Sequence, residues 1–190
     1  MAILDVVQIG HPSLRSTAEL VTRQQIQEPS TQQLVDDLVE TMRAAPGVGL
    51  AAPQVAVNLR LFVAEAHPNK RRPNIQDMEL LVVFNPEVEV LDDTWEGDWE
   101  ACLSIERGEM LGIVPRHARI RLHGLDRNAE QIAVELEGFH ARIAQHEHDH
   151  LDGILFFDRM YERAPKLGKA VIATRENYER YFVTTSEDSN

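Results

Sequence analysis

The stretch QHEHDHLDG, Gln145 to Gly153, holds three histidines and three carboxylates in nine residues. His146 and His150 are four residues apart. On a helix that spacing stacks two imidazoles on one face, where both can reach a single cation. Glu147 lies about 100° further around the axis, within reach of a water on that cation without binding the cation itself. This is the H-E-x-x-H pattern, whose chemistry on a helix is metal-assisted hydrolysis. The bland alternative is a polar helix face with chance spacing. His148 projects from roughly the opposite side and reads as a solvated surface residue.

A zinc-like catalytic centre takes three protein ligands and leaves one position open. The third ligand could be a carboxylate, another histidine or Cys102, the only cysteine in the chain. A lone cysteine is commonly a small buried hydrophobe. A thiolate with two imidazoles would suit iron(II), cobalt, nickel or zinc and would exclude magnesium and calcium.

Such residues need a scaffold. FHARIAQHEHDHL, residues 139–151, runs without Gly or Pro between Gly138 and Gly153, which predicts a helix closed by a left-handed glycine. STQQLVDDLVETMRAAPG places Leu34, Leu38 and Met42 at helical spacing. Ser30 or Thr31 is expected to cap that helix, and Pro46-Gly47 to stop it. LRLFVAEA and LLVVFNPEVEVL read as strands, as do HARIRLHGLD and EQIAVELEGF around the turn LDRNAE. Residues 92–116 show irregular patterning. The segment 67–79 is a polar loop with a short basic run, for which solvation suffices. ILFFDRM is expected to be extended, residues 165–182 helical, and 184–190 a disordered tail behind a single domain spanning 1–183. Strands and helices out of strict alternation predict an α+β fold: mixed, mostly antiparallel sheets packed around the H-E-x-x-H helix.

The 190 residues carry a net charge of −12, which argues against broad nucleic-acid or anionic-membrane binding. No run of 18 apolar residues predicts a membrane span. Asp5 and the lack of a basic leader argue against a secretory signal, and one cysteine fits a reducing compartment, so a cytoplasmic location is expected.

Three separated segments, GVGLAAPQ (Gly47–Gln54), EACLS (Glu100–Ser104) and QHEHDH (Gln145–His150), resemble the three motifs of the peptide deformylases, in that family's order. The resemblance runs from about residue 10 to residue 160. It implies an enzyme that removes the formyl group from N-formylmethionyl nascent peptides and releases formate. It implies Cys102, His146 and His150 as ligands of one divalent ion, natively Fe(II), with Zn, Ni or Co as substitutes. A metal-activated water would attack the formyl carbon, with Glu147 as general acid/base and Gln54 and the Leu103 backbone N–H stabilising the oxyanion. The peptide would add as a strand along Gly49, and Val48, Phe139 and Ile143 would receive the methionine side chain. Transient proximity to the ribosome follows from such a substrate. Glu100, Asp149 and Arg116 are candidates to orient the ligands.

The chain departs from the family pattern in places. Ala101 stands where the second motif usually has glycine, at a cost on the order of 1 kcal/mol if that position needs positive φ. The segment after the motif is about two residues longer than usual, placing Arg107 in the added stretch and Leu111 where an arginine is expected. Two alternatives follow: an amidase acting on another N-acyl substrate, and a non-catalytic peptide-binding homologue.

Overall fold

The computed structural model describes residues 2–45, 47–70, 72–160 and 172–174. Its strands are β1 (Gly49–Ala51), β2 (Leu61–Ala66), β3 (Met78–Val90), β4 (Trp95–Ala101), β5 (Met110–His117), β6 (Arg119–Leu125), β7 (Gln131–Glu137) and β8 (Ile172–Thr174). Its helices include α1 (Arg23–Ile26), α2 (Pro29–Ala44) and α3 (Gly138–Leu151). One sheet runs β1-β2-β3-β6-β7 and a second β4-β5-β8. Every ladder is antiparallel. The fold is α+β, and α3 touches strands of both sheets.

Small residues let α3 sit close. Ala141, Ile143, Ala144 and Leu151 pack against Phe62, Ala64, Ile120 and Leu122 of the large sheet. Gln145 then fixes the helix axially: its Nε2 donates to the His117 carbonyl at 2.9 Å and its Oε1 accepts the His117 N–H at 3.1 Å. Gly153 ends the helix at φ +69°, as its position predicts. On the same sheet, Val35, Leu38 and Met42 of α2 meet Leu50, Leu61, Val63 and Phe84. A third cluster joins Leu14, Cys102, Ile105, Val114 and Phe156.

Several expectations need correction. The α2 cap is not Ser30 or Thr31: Glu28 occupies the cap position without a side-chain bond, and Pro29 opens the helix. Proline's fixed φ and missing N–H suit that first position. Residues 92–116 are not irregular but contain β4 and β5, in continuous register from Trp95↔His117 to Ala101↔Leu111. Their alternation is masked because Glu100 and Arg116, polar by type, are buried. ILFFDRM is not extended throughout: residues 156–160 are helical, and the Asp158 carboxylate accepts the Leu155 N–H at 2.7 Å, capping that turn. Within the expected helix at 165–182, Ile172–Thr174 form β8 and pair with Met110–Gly112. The β-branched Ile172 and Thr174 suit that ladder, which supplies partners for their backbone. The rest of that segment, and the tail 184–190, lie outside the described residues. Among the described residues no helix is long and apolar enough to cross a membrane.

Candidate metal centre and active-site cleft

Sequence-distant elements deliver a thiol and two imidazoles to one point. Cys102 follows the last residue of β4, while His146 and His150 project from one face of α3. Their ligand atoms lie within 4.8 Å of one another, all buried. Cys102 Sγ is 3.3 Å from His150 Nε2, and the two imidazoles meet edge to face with centroids 5.0 Å apart.

Charged side chains hold the ligands from behind. Glu100 accepts from His146 Nδ1 at 2.8 Å, which leaves Nε2 of that ring for a cation. Arg116 donates to Glu100 at 2.9 and 3.0 Å and also to Asp149. Asp149 is clamped a second time by Arg159, with contacts down to 2.6 Å. Arg142 donates to Glu100 at 2.8 Å and to the Val114 carbonyl at 2.6 Å. Burial works against the Glu100 charge, but Arg116 and His146 outweigh it and hold this carboxyl well below its usual range. Burial also opposes a charged His146, yet the Cys102 sulfur and Glu100 push its pKa well up. A divalent cation on Nε2 would take the place of that proton. Burial and the neighbouring His146 push His150 down, toward the neutral form a metal requires. The donor set and its field fit a borderline-soft divalent ion.

Glu147 stands beside this centre. Burial raises its carboxyl to about 7, and its Oε2 has no hydrogen-bond partner among the described residues. Gly49 makes room for it: a Cβ there would lie 2.3 Å from Glu147 Oε1. The lack of a side chain at Gly49 therefore accommodates the carboxylate, a role beyond the substrate strand expected along it. Gln54 is buried and locked, its Oε1 accepting the Ala51 N–H at 2.9 Å. Its Nε2 faces Cys102 Sγ at 3.5 Å and Ser104 Oγ at 3.2 Å.

A cleft of about 770 Å³ opens over these groups. Gly49, Gln54, Cys102, Leu103, His146 and Glu147 line it, and so do Val48, Phe139 and Ile143. His150 lies beneath. The register of β1 sets which backbone groups face the cleft. Glu65 N–H donates to the Val48 carbonyl at 3.0 Å, so Val48 and Glu65 are a hydrogen-bonded pair. Gly49, opposite Ala64, then belongs to the alternate kind of pair, with its N–H and C=O turned away from β2.

Every site residue expected from sequence falls in this one region. Ala101 is not among the described non-glycine residues with positive φ, so its methyl narrows the cleft wall without backbone strain. Leu111 also lines the cleft, while Arg107 is exposed. His148 is not a freely solvated residue: it is half-buried, 3.5 Å from Arg60 and 3.6 Å from Asp152. Burial pushes its pKa down. The basic run of the 67–79 loop is likewise more than a solvated turn. Lys70 and Arg72 line the cleft, with Arg72 4.1 Å over the Phe139 ring and 2.8 Å from Asp98. Arg142 was missed in the sequence. Its signal was the same stride of four that links His146 to His150.

A Cys/His/His cluster backed by a buried ion network and flanked by a sequestered carboxylate defines a metal-dependent hydrolase. The sequence profile of the polypeptide deformylase family matches residues 3–166. The chain is 42% identical over 158 residues to peptide deformylase 2 of Nostoc sp., covering 83% of this chain and 86% of that protein. It is 41% identical over 155 residues to peptide deformylase 1 of Bordetella pertussis, covering 82% and 86%. The Met-Ala-Ser-bound class I type b peptide deformylase of Acinetobacter baumannii superposes with a TM-score of 0.79 at 34% identity, covering 83% of this chain and 98% of that one. The peptide deformylase of Thermotoga maritima gives 0.72 at 34% identity, covering 84% and 98%. The chain belongs to the polypeptide deformylase family.

Proposed function

We propose that this chain hydrolyses the N-terminal formyl amide of formyl-methionyl nascent peptides, with Cys102, His146 and His150 as ligands of a single divalent ion. The carrying observation is that these three donors meet under a buried carboxylate, Glu147, whose Oε2 has no hydrogen-bond partner among the described residues, at the floor of a cleft edged by an open strand. Fe(II) is the native ion in this reading, and Zn, Ni or Co can occupy the same soft donors. When bound, the ion lowers the pKa of a water toward neutrality and polarises the formyl carbonyl.

The chain's own groups do the rest. Glu147, with a pKa near 7, takes the proton from water and returns one to the leaving amine. Gln54 presents an amide N–H₂ whose direction is fixed by the Ala51 bond at its other end. Cys102 C=O accepts the Ile105 N–H at 2.9 Å. In a trans peptide the Leu103 N–H points opposite to that carbonyl and is available to the oxyanion. The peptide pairs with the outward N–H and C=O of Gly49, and its methionine side chain lies among Val48, Phe139 and Ile143. In this reading the protein works in the cytoplasm, with transient approach to the ribosome. The net charge of −12 disfavours a broad nucleic-acid interface.

The Ala101 methyl in the cleft wall favours a second reading: the same chemistry on a different N-acyl end. Formate release from formyl-Met-Ala-Ser, run anaerobically beside the acetylated peptide, tests both, because iron(II) beside a thiolate is prone to oxidation. Formate from the formyl peptide alone is expected. Turnover of the acetyl peptide in preference would favour the second reading. A metal-loaded protein that binds both peptides and cleaves neither would be a binding module, for which the sequestered Glu147 has no use.

A further inference from the structure

The oxyanion donors just proposed sit on two loops that the N-terminal segment ties together. Val7 N–H donates to the Gln54 carbonyl at 2.9 Å, and Ile9 N–H donates to the Ser104 carbonyl at 2.8 Å. Between them, Gln8 uses both ends of its side chain. Its Nε2 donates to the Leu103 carbonyl at 2.9 Å and to the Val6 carbonyl at 3.3 Å. Its Oε1 accepts the Arg107 N–H at 3.0 Å.

The loop that Gln8 grips needs holding. It carries three consecutive residues in the left-handed region, Glu106 at φ 45°, Arg107 at 52° and Gly108 at 81°. Two of these are not glycine, and such a run persists only where surroundings over-determine it. Gly108 also lines the cleft. With the 103–104 peptide plane pinned by Gln8 and the Ser104 carbonyl held by Ile9, rotation about Leu103 is blocked from its C-terminal side. The Cys102–Ile105 turn blocks it from the other. The Leu103 N–H is therefore aimed by contacts 95 residues distant in sequence.

We propose that Gln8 is a positioning residue for this reaction: through Leu103 and Arg107 it aims the Leu103 N–H and holds the 106–108 loop in its strained form. The proposal rests on the deformylase reading above. Gln8 is half-buried and its side-chain hydrogen bonds go to Val6, Leu103 and Arg107, none of them a ligand or Glu147, so its replacement is expected to spare the metal site.

The test uses the full chain loaded with metal, and compares wild type with Gln8→Met and Gln8→Glu. The methionine removes all three side-chain bonds at similar volume. The glutamate keeps the acceptor for Arg107 but loses the donor to Leu103. Expected for Gln8→Met is a fall in kcat of about tenfold or more, with KM and metal content within about twofold of wild type. Amide hydrogen exchange should quicken in residues 103–108 and not in α3. Gln8→Glu should lose kcat comparably while keeping slow exchange at Arg107. Unchanged kcat in both variants, a loss tracking lost metal, a change in KM alone, or unchanged exchange would each overturn the proposal. A wild type that releases no formate would sink the deformylase reading instead. The exchange comparison would then still decide whether Gln8 holds the loop.

Discussion

Glu147 and Gly49 form a pair, because the carboxylate occupies the volume a side chain at 49 would take. Replacing Glu147 by Gln keeps shape and removes the proton acceptor. Turnover should fall by about 10²- to 10⁴-fold with metal retained, as read by formate release beside metal analysis. Loss of metal in that variant would contradict the role. Gly49→Ala displaces the same carboxylate by sterics. A kcat lower by about 100-fold with metal still bound is expected. Wild-type kcat in that variant would mean the carboxylate can shift without consequence. The two-histidine stride and Glu147 were legible in QHEHDH, since helical spacing is local. The reason for Gly49 was not, because its neighbour is nearly a hundred residues away in sequence.

At the scale of elements, a buried charge network ties the β4–β5 ladder to α3. Glu100 of β4 meets Arg116 of β5, and Arg142 and His146 of α3. Removing one member of a buried network strands the others. Glu100→Ala strips Arg142 and His146 of their carboxylate and leaves Arg116 with Asp149 alone, and should destabilise the metal-free protein by about 3–5 kcal/mol in urea unfolding. Arg142→Met leaves Glu100 paired with Arg116 and should cost less, about 1–3 kcal/mol. Equal losses would mean that the network is not shared in this way. The same burial explains why β4 and β5 escaped the sequence reading. Their inward positions carry charge, so the apolar alternation that marks a strand was broken where the site begins. By contrast β2, β3, β6 and β7 bury apolar side chains and were evident.

For the whole molecule, the metal centre lies where the two sheets and α3 meet, so cation binding couples the pieces. Chelation should abolish turnover and lower the thermal midpoint, and restoring Zn or Co should recover both. At free ion a hundredfold above Kd the stabilisation is about 2.7 kcal/mol. A midpoint indifferent to chelation would place the ion elsewhere or nowhere. By itself the sequence determined what depends on neighbours along the chain: the α3 stride, the hairpin at 126–130, the α+β class and the family motifs. Tertiary structure alone decided that the sole thiol faces the histidine pair, that Arg142 and the 67–79 loop belong to the site, and that Gln8 reaches Leu103. These are contacts between elements remote in sequence, and a periodic pattern records which face is buried, not which partner that face will meet.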